Sequence, residues 1–383
     1  MRPTRLVLVL VVLVCVARPA AGSLVQAVMQ NLLHRLSLDQ ILGNRDQFQK
    51  SVPRLRQPGS ERMSVPANFQ CACQSDTLLA ITTQCHYNTT RKMLKSLQTI
   101  SVDTVVFDDQ SADGTAAKCR SEFPNVRVIV RPGPPKGLTW MWNLAYRTFC
   151  ACACYRFFVI ANNDVQVPQG MIAELTRVMD RTPEADMMGP QTTKQGLGGA
   201  GNWDPQKGIY RFQDISQVHP EYRQVRTNAD LLEMGSIDQV QQLLLRPDEH
   251  NRTAVRQSRG LLGYFMLFER KRAKQKELDG GLLFDPKNKI IGQEKSLVEG
   301  SQQMRAFVCT TCFAFHLKVG RFASHTFTPR LLDIPSPGRS QGLSFSNVGE
   351  VARKAGFQLR DARDRMDLVY EAARQQCAAG AER

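Results

Sequence analysis

The sequence predicts an α/β fold, a three-layer α/β/α sandwich built on a mostly parallel central sheet. Two observations carry that expectation. From Leu78 onward, short apolar runs of strand length alternate with longer segments of helical spacing, the pattern that gives a parallel sheet covered by helices. Acidic residues recur at the C-terminal ends of those runs, where open sheets of this kind bind their ligands. The 383 residues, 42% of them hydrophobic, suffice for one large domain or two small ones.

The elements follow in order. Arg2 and Arg5 precede the apolar run Leu6 to Ala17, and small residues follow at Ala20 and Gly22. This is the layout of a signal peptide. The run is short for a span of ~20 residues, so residues 1–22 read as a signal peptide or a short signal anchor. Either sends the chain into the secretory pathway, to the endoplasmic reticulum or Golgi lumen or outside the cell, and the second anchors it to a membrane. Residues 23–75, with the Pro-containing SVPRLRQPGSERMSVP, read as a stem.

The main domain spans 76–330. LLAITT (Leu78 to Thr83) is a first strand, and Asn88 is placed to cap the helix that follows. TVVFDD (Thr104 to Asp109) is a second strand, SADGTAAKCRSEF a turn and helix, and VRVIV (Val126 to Val130) a third strand. LTWMWNLAYRTF carries apolar residues at helical spacing. FFVIANNDVQVP then runs four apolar residues into Asn162, Asn163 and Asp164. Asn and Asp favour tight turns after strands, so a turn alone would explain them. Asp108, Asp109 and Asp164 all fall at strand C-ends, however, and one crevice can gather them. Carboxylate oxygens suit Mg2+ or Mn2+, which take one or two protein carboxylates and complete their shell from phosphates. Residues 203–260 form a polar insertion with no readable match, and 331–383 a C-terminal tail that turns basic after Pro337. In that tail Ala362, Met366, Val369, Tyr370 and Ala373 share one helix face.

Charge and cysteine content narrow the function. Lys and Arg outnumber Asp and Glu by 50 to 35, a net charge of +15. That excess suits nucleic acid, an acidic membrane or a phosphorylated ligand. The basic residues are scattered, the one dense run (Arg270 to Lys276) reads as a solvated face, and no nucleic-acid-binding motif is present. No GxxxxGK[ST] loop and no GxGxxG after a strand occur. Ten cysteines lie outside the leader, which in an oxidising lumen implies disulfides of unread connectivity. The CAC and CACAC spacings do not fit structural zinc. Cys309 and Cys312 lie three apart in a strand-like run and should face opposite sides, as core residues or as partners in separate disulfides. Asn88 and Asn251 head glycosylation sequons. Asn88 falls close to the expected crevice, so Asn251 is the better acceptor.

The order of motifs resembles the family-2 glycosyltransferases, with their GT-A nucleotide-sugar-binding fold, over roughly Leu78 to Phe322. VVFDDQSADGT looks like the second-strand segment that grips the nucleoside, and PPKGLTWMWNLA resembles the helix with a glycine and an asparagine at Gly137 and Asn143. FFVIANNDVQVPQGMIAEL looks like the metal-binding DxD strand, and GLLGYFMLFERK the buried segment beside sugar and acceptor. LFDPKNKIIGQEKSL falls where the family has a catalytic Glu-Asp pair, and AFVCTTCFAFHLKVGRF resembles its last strand, whose histidine approaches the metal. The resemblance implies nucleotide binding by Asp108, Asp109, Asp113, Lys136, Asn143, Asn162 and Asn163. It implies a Mn2+ or Mg2+ ion on Asp164 and His316, and Glu294 as catalytic base. Asp113 suits a helix start at least as well as a ligand, and the glycine-rich stretch after Met188 is expected to border the donor sugar. The implied activity is metal-assisted, inverting transfer from a nucleotide-diphosphate sugar to a glycan, lipid or protein hydroxyl, with no nucleic-acid partner. Two departures stand out. The DxD begins with Asn162, and Lys295 stands where the family usually has its Asp. A catalytically inactive sugar-nucleotide-binding protein on the same fold is the alternative.

Overall fold

The structure, a computed structural model, describes residues 63–67, 69–131, 136–197, 211–246, 254–286 and 293–317, with Arg211, Gln293 and Lys295 described as backbone only. The leader, the stem up to residue 62, the Asn251 sequon and the tail helix lie outside the described residues. Among the described residues no helix is long and apolar enough to cross a membrane.

The strands are β1 (Thr77–Thr83), β2 (Asp103–Asp108), β3 (Arg127–Val130), β4 (Phe157–Asn162), β5 (Val165–Gln166), β6 (Met187–Gln191), β7 (Val255–Ser258), β8 (Phe265–Glu269), β9 (Ala306–Phe313) and β10 (Phe315–His316). Eight form one sheet in the order β3-β2-β1-β4-β8-β6-β9-β7, and β5 pairs with β10 in a small second sheet. The pairings β3-β2, β2-β1, β1-β4 and β6-β9 are parallel, while β8 and β7 run against their neighbours. The sheet is therefore mixed but mostly parallel, and the three-layer α/β class holds.

Period-two alternation makes the layers. In β1, Leu79 and Ile81 face one core while Leu78 and Ala80 face the other; in β4, Phe157 and Val159 oppose Phe158 and Ile160. Both faces are apolar, as a sheet covered on both sides requires. On the first face pack α1 (Tyr87–Leu97) through Met93, Leu94 and Leu97, α2 (Thr115–Glu122) through Cys119, and α4 (Met171–Asp180) through Met171, Leu175 and Met179. On the second lies α3 (Leu138–Ala151), whose Met141, Trp142, Ala145, Tyr146 and Phe149 are almost fully buried. The insertion contributes α5 (Asn228–Met234) and α6 (Ile237–Leu245), each opened by a capping box, at Thr227 and Ser236. Its Ile215, Tyr222, Leu231, Val240 and Leu244 close over Phe313 and Phe315.

Four local expectations change. Asn88 does not cap α1, because the helix already starts at Tyr87 and the acceptor for the Tyr87 N–H is the Asp113 carboxylate from another loop, at 3.2 Å. The basic run at 270–276 is not simply a solvated face. Arg270 opens α7 (Arg270–Gln275), stacks on the Phe149 ring at 4.0 Å and donates to the carbonyls of Phe149, Cys152 and Tyr155, which ties α7 to the exit of α3. Cys309 and Cys312 are bonded to each other. An ideal strand would hold them apart, but β9 bulges there against β6. His316 does not close β9 either; the chain leaves the sheet at Ala314 and re-pairs with β5 as β10.

Two further disulfides, Cys71–Cys152 and Cys73–Cys154, join the segment before β1 to the exit of α3. The CAC and CACAC motifs are thus two halves of one double staple. Cys85 is also disulfide-bonded, whereas Cys119 and Cys150 are free thiols.

Candidate functional site

The parallel register of β2, β1 and β4 brings their C-terminal ends level: Thr83 pairs with Asp108, and Thr82 with Asn162. Because β8 is antiparallel, Ala161 pairs with Phe265, which puts the Gly263–Tyr264 turn at the same rim. Asp108 is the last residue of β2 and fully buried. Its Oδ1 accepts from the Ser111 N–H at 2.6 Å, and its Oδ2 has no hydrogen-bond partner among the described residues. Burial pushes its carboxyl above the usual range, against the opposing pull of Ser111. A buried carboxylate oxygen without a donor is costly, and a ligand N–H or hydroxyl at the β2 end would satisfy it.

The neighbouring acids serve the frame. Asp109 accepts from the Arg131 guanidinium at 3.0 Å, both side chains being buried, and from the backbone N–H groups of Lys136 and Gly137 at the start of α3. There a carboxylate also meets the positive end of the helix dipole. Asp113 accepts from the N–H groups of Tyr87 and Thr115, so it ties the α1 and α2 starts together. Lys136 is half-buried beside Asp109, and its N–H is the group the carboxylate holds.

The asparagines divide similarly. Asn143 is buried in α3, donates to the Phe284 carbonyl at 2.8 Å and accepts from the N–H groups of Leu283 and Phe284. All three bonds clamp the segment that leads toward Glu294. Its Oδ1 and one Nδ2 N–H are thereby engaged inside the protein. Asn163 donates to the hydroxyls of Thr83 and Thr90, which fastens the β4 end to β1 and α1. Asn162 closes β4 with a half-buried side chain, and its N–H donates to the Tyr264 carbonyl.

Asp164 and His316, 152 positions apart in the chain, come together because β10 pairs with β5 and sets His316 opposite Val165. His316 Nε2 lies 3.2 Å from Asp164 Oδ1, and both side chains are buried. His316 Nδ1 is buried with no hydrogen-bond partner among the described residues. The imidazole stacks on the Tyr264 ring at 4.6 Å and 15°, and the Tyr264 hydroxyl donates to the Pro190 carbonyl at 2.7 Å. Burial carries that phenol well above its usual range, so it stays a neutral donor. Among the described residues no group of three or more His, Cys, Asp and Glu forms a metal cage. Two ligands do suffice for a phosphate-bound cation. Atoms ~2.1 Å from a six-coordinate ion and at right angles to it lie ~3 Å apart, which the 3.2 Å Nε2–Oδ1 separation fits.

Glu294 stands in the first turn of α8 (Gln293–Glu299) with a half-buried side chain. Gly263 and Trp142 flank it. A Cβ on Gly263 would meet Trp142 at 2.7 Å and Glu294 Oε2 at 3.5 Å. Trp142 donates from Nε1 to the Thr82 hydroxyl at 3.2 Å and packs on Phe284 at 4.9 Å. One indole thus links the β1 end to the Asn143-held segment, and Gly263 lies between it and the Glu294 carboxylate. Trp142, Gly263 and Tyr264 were not singled out from sequence, although all three lie in motifs that were. Of the glycine-rich stretch after Met188, Gly196 lies beneath the histidine, where a Cβ would be 3.3 Å from His316 Cβ. Residues 198–202 lie outside the described part, as does the side chain of Lys295.

No family model and no curated protein matches this sequence. Several solved structures are similar at low identity. The mannosyltransferase PcManGT from Pyrobaculum calidifontis, in complex with GDP-Man and Mn2+, is 12% identical over 93% of this chain and 84% of its own, with a TM-score of 0.41. S. aureus TarS 1-349 is 15% identical over 62% of this chain and 59% of its own, at 0.38. Glucosyl-3-phosphoglycerate synthase from Mycobacterium tuberculosis, in complex with phosphoglyceric acid, is 13% identical over 62% and 72%, at 0.34.

Proposed function

We propose that the chain is a glycosyltransferase that moves a sugar from a nucleotide-diphosphate donor to an acceptor hydroxyl. One observation carries the reading. A buried Asp–His pair, 3.2 Å apart and assembled from distant segments, stands at the same sheet edge as a buried carboxylate oxygen that lacks a donor among the described residues. A nucleoside diphosphate suits both halves of that edge. Asp108 would accept hydrogen bonds from the base or ribose at the β2 end. Asp164 and His316 would hold Mn2+ or Mg2+, which supplies charge stabilisation for the departing diphosphate. Asn162, beside Asp164, would bond ribose or an ion-bound water.

Glu294 would accept the proton of the acceptor hydroxyl. Attack by that oxygen on the face opposite the leaving diphosphate inverts the anomeric centre, as the motif resemblance implies. The absence of a side chain at Gly263 leaves room between Trp142 and Glu294, and Asn143 holds the Leu283–Phe284 segment that precedes Glu294. The disulfides between the pre-β1 segment and α3 support folding in an oxidising compartment. With the N-terminal apolar run, they favour the lumen of the secretory pathway. Protection of the translated chain from protease inside microsomes is the expected result; full accessibility would refute that location.

A hydrolysis screen over nucleotide sugars with Mn2+ or Mg2+ tests the function. The expected result is slow, metal-dependent release of the nucleoside diphosphate from one donor class. Tight nucleotide binding without turnover under any donor would instead support the non-catalytic reading that Lys295 motivates.

A further inference from the structure

The Cys309–Cys312 disulfide sits at the one place where the β6-β9 ladder loses register. Gly189 pairs with Val308, and the next pair is Gln191 with Phe313. β6 advances two residues while β9 advances five, so three extra residues are accommodated in β9. The disulfide closes the ends of that excess, and both cysteines are fully buried. The bulge is also held from outside. Thr310 donates its N–H to Ala254, and the Thr311 hydroxyl donates to Glu174 at 2.6 Å. Gln241 of α6 donates to the Thr311 carbonyl and accepts from the Phe313 N–H.

His316 lies four residues beyond Cys312. The register of β9 fixes where the chain leaves the sheet, at Ala314 against Gln191, and a one-residue slip passed on to the β10–β5 pairing would turn the imidazole away from Asp164. We propose that the Cys309–Cys312 disulfide is a register pin, and that both cysteines are positioning residues delivering His316 to the divalent-cation site. This role rests on the metal reading of Asp164 and His316.

The test compares Mn2+ binding, read by electron paramagnetic resonance in the presence of UDP or GDP, across four proteins. These are wild type, His316→Ala, Cys309→Ser with Cys312→Ser, and the triple variant. The expected result is at least a tenfold weaker Mn2+ affinity in the Ser pair, with nucleotide affinity in the absence of metal kept. The triple variant should be no weaker than His316→Ala, because a contribution acting through the histidine vanishes with it. Wild-type Mn2+ affinity in the Ser pair, or losses that add in the triple variant, would overturn the pin. A wild type that binds no Mn2+ would overturn the metal reading and this role with it. Should the Ser pair not fold, Gln241→Ala loosens the same bulge from its second anchor. It should weaken Mn2+ severalfold in the wild-type background and not at all in His316→Ala; no effect in either would overturn the proposal.

Discussion

Strands β1 to β4 meet strands β6 to β9 at β8, with β10 leaving that sheet to pair with β5, and the two groups deliver side chains to the crevice by different routes. In the first group the strands are parallel and in register, and each is followed by its own helix or turn. Asp108 and Asp164 are therefore placed by where a strand stops. In the second group, His316 depends on a bulge, a disulfide, an exit from the sheet and the insertion that buries Phe313 and Phe315. The comparison teaches that a residue at a strand end is a local product, whereas one brought in by a rerouted strand is a product of packing. Damage to the first kind should show as lost ligand contacts, and damage to the second as lost geometry.

Four predictions sharpen or break that contrast, from the largest effect down. Glu294→Gln keeps shape and removes the base. Turnover should fall by ~10²–10⁴, about 3–5 kcal/mol in the barrier, with nucleotide affinity unchanged; steady-state kinetics beside calorimetry would expose a base located elsewhere. Asn143→Ala should behave as a frame mutation, since it strips three buried backbone groups of their partner. A stability loss of about 2–4 kcal/mol in denaturant melts is expected, whereas an unchanged melt with weakened nucleotide binding would return Asn143 to the ligand set.

Asp164→Asn should weaken Mn2+-supported nucleoside-diphosphate binding at least tenfold, ~1.4 kcal/mol, and leave metal-free binding alone. Equal affinities would reduce Asn162–Asp164 to a turn. The smallest effect concerns Asp108, whose carboxyl burial raises. The folded chain then keeps that proton to a higher pH than the unfolded one. The stabilisation is full below the unfolded value of ~3.9 and is lost as pH rises through the folded value. Asp108→Asn should accordingly melt higher than wild type at neutral pH, on the order of 1–3 °C, and show no advantage in acid. It should also bind nucleotide more weakly. A lower melting temperature at pH 7 would contradict a buried, unsatisfied carboxylate.

The same contrast explains what could be read before the structure. Strands β1 to β4, the β9 run and α3 were legible because apolar period and acidic strand ends are local signals, whereas β6 was hidden in a glycine-rich stretch and β7 in the insertion. The identity of Asp109, Asn143 and Asn163 as internal ties was not, because their partners lie 22, 141 and 80 positions away. The Cys309–Cys312 bond escaped an ideal-strand reading since a bulge is a property of two strands together. Asn88 failed as a cap because the acceptor came from Asp113. The insertion carried no motif, yet its apolar residues mount β10. Only its burial of Phe313 and Phe315 reveals that role.

The most direct measurement is a calorimetric titration of the wild-type chain with UDP and with GDP, each with and without Mn2+. The account predicts saturable binding of at least one nucleotide, strengthened tenfold or more by the metal. Nucleotide binding that ignores Mn2+, or none at all, would contradict a sugar-nucleotide site built on Asp108, Asp164 and His316.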